Sequence, residues 1–274
     1  MNYTLQPPCG FSMIGGRPTN QDALWPPVGQ ANSATRLFVL CDGMGGADRG
    51  EVASRLLTEA VAHYVAAWNN PVLDSVHLQS AIDMAYEAYA FFMNQHPTIN
   101  RMGATLAILQ LHERGASLAH MGDSRVYWLR NGQVLFRTMD HKRVNELVET
   151  GVLTAQQARN HPWRNRLSRA VLMHRDPAGL HRSAAQPDLL LIDDLQPGDY
   201  FFLCTDGVLE HLDDETIAAI LATDDTDPVK LDTLLAACNQ RTQDNYSAYL
   251  VRLETVESDV VSLTKPTPVA NEKA

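Results

Sequence analysis

The sequence predicts a single α+β domain built on antiparallel sheets. Two observations carry this. Four short strand-like runs follow one another with no helix between them, at 104–111, 116–123, 124–130 and 133–139. Strands joined by tight turns form meanders, whereas parallel βαβ units need a long crossover. The helical blocks, in turn, come in pairs, at 49–68 with 74–94 and at about 213–222 with 228–242. At 274 residues the chain can bury a substantial core, and no linker divides its body.

Taken in order, strand-like runs open the chain and include the apolar segment RLFVLCDG at 36–43. In 49–68, Val52, Leu56, Ala60, Val61, Tyr64, Val65 and Trp68 recur at three- and four-residue spacing, the mark of an amphipathic helix. Val76, Ile82, Ala85, Tyr86, Tyr89 and Met93 repeat that pattern in 74–94. Arg114-Gly115 separates the first two strands of the meander, and Asn131-Gly132 separates the last two as a type I′ hairpin signal. From 142 to 172 the apolar content thins into short helices carrying several arginines, with Pro162 breaking the second. Strand patterns return at 188–194, 199–205 and 246–253. Beyond about 255 the chain is polar, holds two prolines and lacks periodicity, so the domain is expected over 1–254 and a disordered tail over 255–274.

A net charge of −10 argues against non-specific binding to nucleic acid or to an anionic membrane surface. The four cysteines, Cys9, Cys41, Cys204 and Cys238, are scattered and read as reduced, buried thiols. No basic n-region precedes an apolar core at the N-terminus, and no apolar run reaches the roughly 18 residues of a membrane span. A cytoplasmic protein is the expectation, with no membrane and no nucleic-acid partner.

Aspartates then stand out at strand ends. Asp42 follows FVLC, Asp123 lies in HMGDSR, Asp206 follows FFLCT and Asp244 lies in TQDNYSAYLV. Asp22, in GRPTNQDAL, is placed just after an early strand. A carboxylate at the end of a buried strand is costly unless paired or metal-bound. Hence the repeated pattern suggests one acidic pocket. Hard oxygen ligands without nearby His or Cys ligands favour magnesium or manganese over zinc. Two such ions roughly 3.5–4 Å apart can attack a phosphate ester through a bridging hydroxide. A lone Asp-Gly after a strand is usually just a turn, so the inference rests on the set together. Cys41 and Cys204 read as strand-end packing, since no basic partner accompanies either.

Over roughly residues 10–253 the sequence resembles the bacterial metal-dependent protein phosphatases, the PPM or type 2C serine/threonine family. RPTNQD, CDGMGG, MGATLA, GDSR, the segment from MDHKRV to LSRAV, LCTDGV and QDNYSAYLV occur in family order. The resemblance implies a four-layer α-β-β-α sandwich, with two antiparallel sheets flanked by helix pairs and a flap at about 140–175. It also implies roles. Asp42 would bridge two Mn2+ or Mg2+ ions and the Gly43 carbonyl would add a ligand, while Asp206 and Asp244 would complete the other ion's shell. Asp22 would orient the attacking water, and Arg17 would grip the substrate phosphate. Asp123 would help hold a third, weaker ion, or else act structurally in its turn, paired with Arg125.

Three positions depart from the family pattern. Gln21 stands where Glu is common, which removes a charge beside the metals. Met44 stands where many eukaryotic relatives carry a histidine, and packing of the loop is its favoured role. Leu172 stands where a glycine is usual, so an altered turn is expected there. His141, His161 and the flap arginines are read as structural or solvated.

The implied activity is one-step hydrolysis of phosphoserine and phosphothreonine in proteins, opposing a serine/threonine kinase, by a monomer. Two alternatives stay open: an inactive family member acting as a phosphoprotein scaffold, and a dimetal phosphohydrolase of small molecules.

Overall fold

A computed structural model of the chain describes residues 2–44, 49–239 and 241–257. The strands β1 (Asn2–Leu5), β2 (Cys9–Met13), β3 (Asp22–Trp25) and β4 (Leu37–Asp42) lead into helices α1 (Gly50–Ala67) and α2 (Ser75–Gln95). Next come β5 (Arg101–Ala104), β6 (Leu106–His112), β7 (Gly115–Met121), β8 (Arg125–Arg130) and β9 (Gln133–Arg137). Short helices α3 (Arg143–Glu149) and α4 (Ala155–Arg159) follow, then β10 (Val171–Asp176), β11 (Gly179–Arg182) and β12 (Asp188–Ile192). The chain ends in β13 (Tyr200–Cys204), a 3-10 turn at Asp206–Glu210, α5 (Asp214–Leu221), α6 (Asp227–Cys238) and β14 (Tyr246–Glu257).

Every pairing among the named strands is antiparallel. One sheet runs β1-β14-β13-β8-β9, with β2 also on β14, and the other runs β12-β7-β6-β4-β3. The inner residues of both sheets meet in one core, including Phe38, Leu40 and Leu109 from one and Phe201, Leu203 and Val251 from the other. Because successive strand residues face opposite ways, Val39 and Cys41 turn outward to pack on α1 and α2. Phe202 and Cys204 likewise turn outward, against α5 and α6. Four layers result. Strands covered on both faces need unbroken apolar runs, which explains both FVLC and FFLC.

The sandwich and the paired helices match expectation, and the differences are local. A third sheet, β11-β10-β5, forms beside the other two. Leu172 sits in β10 rather than in an altered turn, directly opposite Gly103 of β5. The missing side chain of Gly103 makes the room: a Cβ there would meet Leu172 Cδ1 at 2.8 Å and Met44 Sδ at 3.1 Å. Asp22 opens β3 instead of following a strand, and it lies opposite Asp42 in register. Trp68 falls past the end of α1 and is 62 % exposed, outside the apolar face assigned to it. Helix α6 stops at Cys238, short of 242, because Asn239 leaves helical geometry with ψ 137°. β14 continues through residues 255–257 by pairing with Asn2–Thr4 of β1, and the rest of the expected tail, 258–274, lies outside the described residues. No helix among the described residues is long and apolar enough to cross a membrane.

Two glycines let the ends of β4 and β13 approach their neighbours. A Cβ on Gly43 would stand 2.2 Å from the Gly50 carbonyl oxygen, and one on Gly207 would stand 2.1 Å from that of Asn245. Both obstacles are backbone atoms and cannot swing aside. Gly207→Ala is therefore expected to destabilise the fold by about 1–3 kcal/mol, as overpacking does. A urea-denaturation midpoint equal to that of the parent would contradict this close approach.

Candidate metal centre

The ends of β4 and β13 and the start of β14 deliver Asp42, Asp206 and Asp244 to one cavity of about 470 Å³. Arg17, Gln21, Gly43 and Asp123 line the same cavity, so among the described residues every aspartate on its wall belongs to the set singled out in the sequence. Asp22 lies just behind, across the strand pair from Asp42.

Threonines fix the backbone around these carboxylates. Asp42 N–H donates to Thr105 Oγ1 at 2.9 Å, and Thr105 N–H returns a bond to the Asp42 carbonyl at 2.8 Å. Thr105 Oγ1 also bonds Ser124 Oγ at 2.6 Å, which ties β4 to the turn that carries Asp123. Across the cleft, Thr205 Oγ1 donates to Asp22 Oδ2 at 3.0 Å and accepts from Ser247 N–H at 2.9 Å. Gly43 N–H donates to the Gln21 carbonyl at 2.9 Å and Met44 N–H to the Gly103 carbonyl at 3.0 Å. Met44 thus packs the loop, as expected.

Asn245, which sequence reasoning left without a role, anchors the opposite wall. Its Oδ1 accepts from Gln21 N–H at 2.8 Å, while its Nδ2 donates to the carbonyls of Ile14 and Thr19 at 2.8 and 2.9 Å. Both donors and one acceptor lone pair of this 2 %-exposed amide go into holding the 14–21 loop against β14. Its adjacency to Asp244 was the one available signal.

Arg17 meets Asp244 in a two-pronged pair, with Nε–Oδ1 at 2.9 Å and Nη2–Oδ2 at 2.7 Å. The guanidinium assigned to the substrate thus also steadies a carboxylate assigned to a metal. Arg101, unassigned from sequence, and Arg166, one of the flap arginines read as structural or solvated, add basic side chains to the cavity wall. Asp123 pairs with Lys142, Oδ2 to Nζ at 3.1 Å, rather than with Arg125. Arg125 instead engages Asp140 at 2.6 Å and Asp214 at 3.0 Å.

Packing so many carboxylates together disfavours their charged forms. Burial, aided by Asp22, Asp206, Asp123 and Asp244, holds the Asp42 carboxyl well above the usual range. Burial likewise pushes Asp206 up to about 8, with Asp123 adding to it and Lys142 opposing. For Asp22 burial raises the value to about 7 against the hydrogen bonds from Ser247 and Thr205. Two buried oxygens, Asp22 Oδ1 and Asp206 Oδ1, have no hydrogen-bond partner among the described residues. Unmet acceptors in an acidic, all-oxygen cleft suit a hard divalent cation.

A second group of metal-ligating types, His120, His141 and Asp188, has ligand atoms within 4.8 Å of one another outside the cavity wall. Three of its four ring nitrogens make internal bonds. Gly122 N–H donates to His141 Nδ1 at 3.1 Å, His141 Nε2 meets Asp188 at 3.0 Å, and His120 Nε2 meets the Met139 carbonyl at 2.9 Å. The two imidazoles stack at 4.3 Å, so His141 is structural as expected.

Known proteins are similar to this chain in sequence and fold. The protein phosphatase 2C family model matches residues 9–246. The serine/threonine protein phosphatase PstP of Mycobacterium tuberculosis is 33 % identical over 206 residues, covering 75 % of this chain and 36 % of that protein's length. Protein phosphatase PhpP of Streptococcus pneumoniae is 29 % identical over 254 residues, covering 89 % of this chain and 95 % of that one. The crystal structure of the PstP catalytic domain in complex with two manganese ions matches with a TM-score of 0.72 at 27 % identity, covering 92 % of this chain and 100 % of that one. With the family model spanning the sandwich from β2 to the start of β14, the chain belongs to the protein phosphatase 2C family.

Proposed function

We propose that this chain hydrolyses phosphoserine and phosphothreonine in proteins, reversing a serine/threonine kinase, with two Mn2+ or Mg2+ ions in the acidic cleft. The observation that carries the proposal is the convergence of Asp42, Asp206 and Asp244 on one cavity beside a partnerless buried oxygen of Asp206. Asp42 and the Gly43 carbonyl would hold one ion, and Asp42, Asp206 and Asp244 the other. When bound, such ions supply Lewis-acid charge neutralisation and lower the pKa of water to near 7.

The chain's own residues do the rest. Asp22, fixed through Oδ2 by Thr205, keeps Oδ1 as an acceptor to orient the attacking water. Arg17 is half exposed at the cleft mouth, where its planar donors suit phosphate oxygens. Gln21 lies against Gly50 and is uncharged, which weakens cation binding at that side of the cleft relative to a glutamate. Met44 offers no proton, so water must protonate the departing alkoxide.

A monomer is the proposed active unit. Segment 140–175 is read as a flap, since Arg166 and Leu167 from it line the cavity wall. The four free cysteines support a cytoplasmic setting.

The test is turnover of a phosphothreonine peptide beside a nucleotide and an aryl phosphate, with Mn2+ or chelator. Peptide hydrolysis that falls to background with chelator and with Asp206→Ala is expected. Nucleotide turnover alone, or none at all, would contradict the proposal. Gln21→Glu is expected to lower the Mn2+ concentration needed for half-maximal activity, and an unchanged requirement would remove that role for Gln21.

The raised carboxyls also set a pH dependence in the metal-free protein. Values of about 7 for Asp22 and about 8 for Asp206 lie above those of the unfolded chain, so the folded state binds more protons. This stabilisation is complete below the ordinary carboxylate range and is lost as the pH rises through about 7–8. Chelated protein is expected to melt at a lower temperature at pH about 8.5 than at about 6, and Mn2+ to remove the decline. Equal melting temperatures in calorimetry would contradict it.

A further inference from the structure

Asp123 shares the cavity wall with Asp42 and Asp206, yet its charge is already answered from within the chain. It is 5 % exposed, and Lys142 Nζ lies 3.1 Å from its Oδ2. The same ammonium is 3.5 Å from Asp140 Oδ2. Asp140, however, is satisfied elsewhere by both prongs of Arg125, at 2.6 and 3.0 Å. Asp123 is therefore the carboxylate that depends on Lys142.

The lysine is also held in place. The preceding residue is locked to the Asp123 turn from both sides, with His141 N–H donating to the Gly122 carbonyl at 2.8 Å and Gly122 N–H donating to His141 Nδ1 at 3.1 Å. Lys142 itself donates its N–H to the Asp140 carbonyl at 2.9 Å and bridges to Leu167 on the other arm of the flap. Its side chain is only 20 % exposed, so the ammonium has little water to retreat into.

A divalent ion on Asp123 would need that carboxylate oxygen at roughly 2.0–2.6 Å. It would then crowd a fixed ammonium of like sign, in a site with little water to screen them. Resting on the two-ion reading above, we propose that Lys142 is a built-in cation, whose ammonium takes the place at Asp123 that a third divalent ion would fill. The cleft of this chain then holds two ions and not three, and the flap stays pinned to the cleft by an internal salt bridge.

The test is the number of Mn2+ ions bound by the full, metal-stripped chain, titrated with Mn2+ alone and followed by the electron paramagnetic resonance of free Mn2+. The parent is expected to saturate at two. Lys142→Ala is expected to gain a third, weaker ion that disappears again when Asp123→Ala is added. Lys142→Arg, which keeps the charge, is expected to stay at two. Three ions in the parent, the weakest lost in Asp123→Ala, would overturn the proposal, and so would Lys142→Ala remaining at two. Fewer than two in the parent would instead bring down the two-ion reading beneath it. If Lys142→Ala does not fold, the parent and the Lys142→Arg counts still decide.

Discussion

Carboxylates forced together repel one another, and the structure is arranged to keep them together regardless. Asp22, Asp42, Asp123, Asp206 and Asp244 come from five separate parts of the chain and meet at one end of a sandwich. Left to themselves Asp22, Asp42 and Asp206 would hold protons more tightly, as their raised values indicate. Cations answer the same repulsion. Three already belong to the chain's design: Arg17 on Asp244, Lys142 on Asp123, and Arg125 on the neighbouring Asp140. Among the described residues neither Asp42 nor the unpartnered oxygen of Asp206 has such an ion pair, and the proposed divalent ions would answer that shortfall.

Holding the carboxylates against repulsion is the task of the backbone. Apolar runs bury β4 and β13 on both faces, so neither strand end can drift from its sheet. Beyond each run, an aspartate is followed by a glycine that admits a neighbouring carbonyl to within a distance no Cβ would allow. Thr105 and Thr205 then act alike on opposite walls, each hydroxyl linking an aspartate to a second strand or turn. Acid, glycine and threonine together explain why two distant strands end in nearly the same residues.

Much of this was legible in the sequence because long apolar runs and Asp-Gly pairs leave a local trace. The helices of one outer layer showed through their three- and four-residue spacing, and Asp42, Asp206 and Asp244 through their position beside strands. What was not legible depends on pairings between remote segments. Leu172 reads as a misfit in a turn until Gly103, across a strand pair, is seen to leave it space. β14 outruns the expected boundary because β1, at the other end of the chain, supplies its partner. Lys142 lies in the MDHKRV segment without an assigned role, and only its approach to Asp123 reveals one. Asn245 was visible as part of a motif, but its three bonds to the 14–21 loop could not be read from spacing.

The most direct measurement is a crystal structure of the protein soaked with Mn2+, read by anomalous scattering. The account requires two peaks roughly 3.5–4 Å apart, one contacting Asp42 and the Gly43 carbonyl and the other Asp42, Asp206 and Asp244. Anomalous density only at His120, His141 and Asp188, or none between the three aspartates, would contradict it.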